Sequence, residues 1–175
     1  MKNIFLFLMF IFLPGCVGIP KGISPVKGFE LQRYLGTWYE IVRLDHSFEK
    51  DLDSVSAEYS IRSDGGIRVI NRGFNPKTGK WKQAEGKAYS VKDPHVGRLK
   101  VSFFGPFYGA YNIIDLDQDQ YSYAMVCGPN RSYFWLLARR PDMPESLKTD
   151  LIQKAGELGF DTKKLIHVQH EAGQF

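Results

Sequence analysis

Few residues of this 175-residue chain have types and spacing suited to chemistry, and they do not assemble a reactive centre. His46 stands between Asp45 and Ser47. A histidine that takes a proton from a hydroxyl needs a third group to orient it, and neighbours in sequence usually point apart. His167 and His170 are three apart near the end of the chain, and in a strand or tail that spacing does not put them on one face to hold a metal. Cys16 and Cys127 are the two cysteines, so no pair has metal-binding spacing. The chain has no G-x-S-x-G and no H-E-x-x-H string. Asp64-Gly65-Gly66 reads as a turn, with no phosphate-cradling helix after it. These patterns assign no catalytic residue, no metal ligand and no cofactor.

The net charge is +4, with acids and bases interspersed and no run of five like charges, so nucleic acid is not an expected partner. The N-terminus has a different character. Lys2 precedes an apolar run from Ile4 to Leu13, and Pro14-Gly15-Cys16 ends it. That run is about half the length needed to span a bilayer, and it reads as a secretory signal. Leu13-Pro14-Gly15-Cys16 resembles the lipobox of bacterial lipoproteins, with Pro14 as its less common member. The resemblance implies a signal peptide at 1–15, cleavage before Cys16, and acyl chains on Cys16 that hold the protein to a membrane. Val17, rather than an aspartate, follows the cysteine, which in that family implies the outer membrane; the expected location is its periplasmic face. Cys127 then has no partner within the chain, and in Met125-Val126-Cys127 it reads as a small buried apolar residue. An exported chain without an internal disulfide must rely on packing. Gly18, Pro20, Gly22 and Pro25 break residues 16–27 into a lipidated N-terminus and linker.

The rest must position whatever the chain binds, and it reads as short strands. The expected strands are Thr37–Leu44, Val55–Ile61, Ile67–Arg72, Trp81–Val91, Arg98–Phe103, Ala110–Leu116, Tyr121–Cys127 and Tyr133–Arg139. Short turns such as Asp64-Gly65-Gly66 and Gly128-Pro129-Asn130 join them. No helical crossover intervenes, which excludes a parallel α/β fold. The expected class is all-β: an eight-stranded antiparallel up-and-down barrel, with one C-terminal packing helix and a short ninth strand at Leu165–Gln169. The helix is read from Leu147, Leu151, Ile152, Ala155 and Leu158, with Asp142 and Glu145 as a capping box and Gly159 as the stop. Ala84, Gly86 and Ala88 share one strand face, where small residues would leave room for a ligand, turn a barrel corner or pack closely.

Gly36-Thr37-Trp38 at the start of the first strand resembles the G-x-W signature of lipocalins, and Arg139 matches the arginine that lies across the tryptophan. On this resemblance Gly36, Trp38 and Arg139 form the barrel floor, and Glu30–Leu35 is a 3₁₀ turn that closes one end. Asn112, Asp115, Asp117 and Tyr121 stand where the family has its middle motif, in degenerate form. Tyr34–Ile41, Phe103–Gly109 and Val126–Pro129 are similar to the bacterial outer-membrane, apolipoprotein D-like lipocalins. The resemblance implies a lipocalin domain at 28–170, a tail at 171–175, and a fatty acid or lysophospholipid ligand serving membrane maintenance under stress. It leaves a homodimer open. Tyr59, Trp81, Phe103, Tyr111 and Trp135 join the small residues as ligand-binding candidates, and Arg43, His46, Lys50 and Arg72 as cations for an anionic head. Phe104, Phe107 and Tyr108 could form a lipid-access rim, a dimer surface or plain loop packing. Two other readings stay open: a barrel-fold enzyme for a small apolar substrate, and a structural lipoprotein with a solid core.

Overall fold

A computed structural model describes residues 17–170, so the expected signal peptide at 1–15, the expected lipidation site Cys16 and the expected tail at 171–175 lie outside the described residues. The barrel strands are β1 (Gly36–Leu44), β2 (Asp53–Ile61), β3 (Ile67–Asn75), β4 (Lys80–Ser90), β5 (Arg98–Ser102), β6 (Gly109–Leu116), β7 (Tyr123–Cys127) and β8 (Phe134–Ala138). Each pairs antiparallel with the next, and β1 pairs with both β2 and β8, which closes the sheet on itself. A closed sheet has no open edge running its whole length. Loops β1–β2, β3–β4, β5–β6 and β7–β8 therefore gather at one end, the mouth. A single α-turn, α1 (Leu31–Tyr34), precedes β1 at the other end. The expected 3₁₀ turn there is a short α-helix, because Tyr34 and Leu35 donate to carbonyls four residues back.

An irregularity in β1 decides which residues enter the barrel. Glu40 pairs with Leu137 and Val42 with Leu136, so Ile41 is an extra residue. Such a bulge reverses the alternation beyond it. Ile41 and Val42 both join the cluster outside the barrel, and Arg43, opposite Trp135, is buried on the inner side. The inner cluster contains Trp38, Tyr59, Ile67, Val69, Leu99, Ile113, Val126 and Leu137. The outer cluster seats α2 (Glu145–Glu157), whose Leu151 and Ala155 pack with Val42, Met125 and Leu136.

The capping box is not formed. The helix begins two residues later than a cap at Asp142 requires, Pro144 holds the cap position, and Asp142 pairs with Arg140 at 3.0 Å. The stop is as expected. Gly159 has φ +86°, its N–H donates to Gly156 at 2.9 Å, and Phe160 N–H reaches Ala155 at 3.1 Å, which together satisfy the last carbonyls. The ninth strand, β9 (Leu165–His167), is shorter than expected and pairs with β1 on the side that β2 leaves free. Strand β7 starts at Tyr123 because Tyr121 adopts φ +54° in a turn organised by Asp117, which accepts from the N–H groups of Asp119, Gln120 and Ser122.

Residues 17–27 are irregular but do not form a free linker. Val17 accepts from Arg98 at 2.9 Å, Gly18 from the buried Asn112 at 3.1 Å, and Lys21 from Arg131 at 2.9 Å. Val26 bonds Ile113 and Gly97, and Ile23 is buried in the outer cluster. The segment is a strap along the barrel wall. Broken backbone needs partners for its polar groups, and Arg98, Asn112 and Arg131 supply them.

Candidate functional site

The floor comes first. Trp38 is fully buried, and its indole N–H donates to the Tyr34 carbonyl at 2.8 Å. The Arg139 guanidinium lies over the ring at 4.0 Å and donates to the carbonyls of Thr37 (3.0 Å), Arg33 (2.6 Å) and Tyr121 (3.3 Å). Gly36 has φ +92°, and a side chain there would meet Arg139 Nη1 at 3.3 Å. The three expected floor residues are thus brought together. Tyr121 ties in a fourth point, since its hydroxyl accepts from Glu30 N–H at 3.0 Å.

Above the floor stand three phenols. Tyr59 donates to the Tyr111 hydroxyl at 2.9 Å, and Tyr111 and Tyr34 share a bond of 2.7 Å. Burial raises the pKa of all three, so they stay neutral and act as hydrogen-bonding groups. Three hydroxyl protons serve two bonds, which leaves one proton without a partner within the trio.

Nearer the mouth is a buried charged group. Arg43 is 1 % exposed and donates to the carbonyls of Leu52 (2.8 Å) and Glu49 (3.1 Å), with Glu40 Oε2 at 3.4 Å. Trp135 Nε1–H donates to Glu49 Oε2 at 3.1 Å. Burial, reinforced by the Glu49 charge, pushes the Glu40 carboxyl well up; burial also raises Glu49, against the pull of Trp135 and Arg43. Glu40 and Glu49 were not among the expected site residues. Glu40 had a signal, since alternation from Trp38 sends it inward; Glu49 lies in the loop after β1 and had none, and the expected Arg43 joins them only because the bulge turns it in.

The remaining candidates separate. Tyr59, Phe103, Tyr111 and Trp135 pack on the inner cluster. Ala88 is buried within it. Gly86 is covered, because a Cβ there would lie 2.8 Å from the Phe103 ring and from the Ser102 carbonyl. The room beside it is filled by that ring. Ala84 and Trp81 are exposed, since β5 pairs with β4 only from Lys87 to Ser90 and the first half of β4 projects beyond it. Trp81 is on the outer face against Phe74, with centroids 5.6 Å apart, and does not line the cup. Arg72 also faces outward, bonding Glu58 and Gln83, and Lys50 is exposed at the rim. His46 is buried among aromatic rings at the mouth. Cys127 is buried, which lifts its thiol to about 12 and keeps it unreactive. His167 is exposed, while His170 contacts the Glu40 carbonyl at 2.7 Å. Among the described residues no group of three His, Cys, Asp or Glu could hold a metal, and no helix is long and apolar enough to cross a membrane.

A closed antiparallel cup, floored by a stacked tryptophan–arginine pair, walled by apolar residues and carrying a few oriented polar groups inside, defines a small-molecule binding barrel. Residues 29–170 match the lipocalin-like domain family, and the chain belongs to the lipocalins. It is 53% identical over 171 residues to outer membrane lipoprotein Blc of Vibrio cholerae, covering 98% of this chain and 100% of that protein. It is 53% identical to outer membrane lipoprotein Blc of Escherichia coli K12, covering 86% and 84%. Apolipoprotein D of Rattus norvegicus is 33% identical, covering 71% and 68%. Among solved structures, insecticyanin of Manduca sexta shares the fold with a TM-score of 0.70 at 20% identity, covering 89% and 88%.

Proposed function

We propose that the chain is a lipid-binding outer-membrane lipoprotein. Acyl groups on Cys16 hold it to the periplasmic face, and its cup takes one long acyl chain of a fatty acid or lysophospholipid, for storage or transport in membrane maintenance under stress. The supporting observation is the interior itself: an apolar wall that carries the phenol trio and a buried Arg43 group. The names of the Vibrio cholerae and Escherichia coli relatives support the location. Burying eight methylenes contributes about 6 kcal/mol before ordering costs. A second chain would protrude and return that gain to water. The polar head stays near the mouth, because a desolvated anion needs a partner. Phe48, Phe104 and Phe107 are exposed on mouth loops and form an apolar rim for access.

The chain from Val17 onward carries every described element of the barrel and its strap. After delipidation it is titrated in competition with a lysophospholipid, a free fatty acid, a diacyl phospholipid and a retinoid. The single-chain ligands are expected to win. A preference above tenfold for the diacyl lipid or the retinoid overturns the reading. Sedimentation velocity on the same preparation tests the homodimer that the family resemblance leaves open.

A further inference from the structure

We propose that the mouth of the cup is a receptor for an ammonium group, built from the rings of Phe48, Tyr133 and Trp135 and the Glu49 carboxylate, with the His46 ring standing in the cation's place. The proposal rests on the lipid-binding reading and names the headgroup: the ammonium of a zwitterionic lysophospholipid.

His46 is enclosed by rings. Phe48 stacks on it at 4.1 Å and 13°, Trp135 lies at 4.8 Å, and Tyr133 at 6.0 Å and 21°. Its Nε2 is 3.3 Å from Glu49 Oε2, the oxygen that Trp135 also holds. Yet His46 is 8 % exposed and neither ring nitrogen makes a hydrogen bond. Buried polar groups nearly always have partners, so this imidazole is a poor permanent occupant. Burial and the nearby Arg43 charge hold its pKa down to about 4, against Asp45, which favours the proton. The box therefore holds a neutral ring at pH 7.

The carboxylate of the box is Glu49. Burial and the Glu49 charge push the Glu40 carboxyl well up and the two carboxyls share a hydrogen bond, so Glu40 holds the proton more readily and Glu49 is the acceptor. Asp45 and Lys50 are exposed at the rim. The Arg43 guanidinium nitrogens are directed to Glu40 and to backbone carbonyls, while Glu49 Oε2 faces His46 and Trp135. Aromatic faces attract ammonium groups, and three rings with one carboxylate fit a poorly hydrated ammonium better than a metal, which would need several donor atoms. Phe48 is 59 % exposed on a 3₁₀ turn at Ser47–Glu49, so the box opens to solvent by displacement of a rim residue.

The test compares lysophosphatidylcholine with lysophosphatidate of the same acyl chain, by displacement of a fluorescent fatty acid, with free choline as a third arm. Lysophosphatidylcholine is expected to bind about tenfold more tightly. Glu49→Gln and Trp135→Leu should each erase that preference, read as the ratio of the two affinities, whatever they do to the binding that the two lipids share. His46→Ala vacates the box and should raise the same ratio several-fold. Phe48→Leu, at an exposed position, carries the test if a buried variant fails to fold, and it too should lower the preference. Choline alone should quench the Trp135 fluorescence, which separates the headgroup from the chain. Equal affinities in the unmodified protein, or a preference that survives these substitutions, overturns the ammonium site while leaving lipid binding intact. If neither lysolipid binds and choline causes no quenching, both readings fall.

Discussion

Arg139 reaches across the barrel floor to cover Trp38, with its guanidinium carbon 4.0 Å from the ring centroid and its nitrogens bonded to three carbonyls from separate segments. The pair joins the end of β8 to the start of β1. Trp38→Ala should cost about 3–5 kcal/mol, as for other large buried aromatics. Arg139→Ala should cost less, about 2 kcal/mol, from the lost cation–π contact and aliphatic packing. Equilibrium urea unfolding reads both; unchanged midpoints would show that the stack does not hold the floor.

The mouth cluster sets two opposed pH dependences. His46 titrates at about 4 when folded, against 6.5 ordinarily. Between those values the unfolded chain binds more protons, so this contribution is present above pH 6.5 and lost as pH falls towards 4. His46→Gln should flatten that slope. The Glu40 pKa is raised above 4.5 on folding. Its contribution is therefore present below pH 4.5 and lost as pH rises through the folded value. Glu40→Gln should raise stability at pH 8 and leave it unchanged at pH 4. Unfolding midpoints measured from pH 4 to 8 check both signs.

Gly86→Ala brings a methyl to 2.8 Å from the Ser102 carbonyl of the neighbouring strand. Backbone cannot swing aside as a side chain does, so the expected cost is about 1–3 kcal/mol. Ala84→Val, two residues along at an exposed position, should cost less than about 0.5 kcal/mol. If the two substitutions cost the same by urea unfolding, β5 does not press on β4 as described.

Cys16→Ser should abolish labelling by a radioactive fatty acid, stop cleavage before residue 16, and move the protein out of the washed membrane fraction. Labelling that persists in the variant would place the acyl group elsewhere.

The number and order of strands were legible because turn residues punctuate a period-two pattern, and each hairpin is a local decision. The floor was legible because Gly36, Trp38 and Arg139 carry a family spacing. Alternation failed wherever backbone geometry departs from it. The bulge at Ile41 turns Arg43 inward against its sequence parity, and so hid that Arg43 and Glu40 share the inner face. Trp81 was expected in the cup as a strand aromatic, although alternation from Ala84, Gly86 and Ala88 already puts it on the other face; the sequence carries no mark of whether a neighbouring strand reaches it. The strap looked like a tether because glycines and prolines report irregular backbone, while its anchors Arg98, Asn112 and Arg131 come from far along the chain.

Closure by β1 has a kinetic consequence. Tyr39 pairs with Ala138, about a hundred residues away in sequence. The hairpins from β2 to β8 can zip as they appear, but the seam waits for the last of them, and long-range pairing is the slow step in β proteins. While the chain is being delivered from its N-terminus, β1 stands with its β8 side bare, a strand edge open to the wrong neighbour. The interval between the appearance of β1 and that of β8 is therefore when this protein is most prone to aggregate. A circular permutant with new termini in the β7–β8 loop at the mouth puts β8 ahead of β1, with only α2, β9, the strap and α1 between them, which should bring the seam partners closer in sequence and shorten that interval.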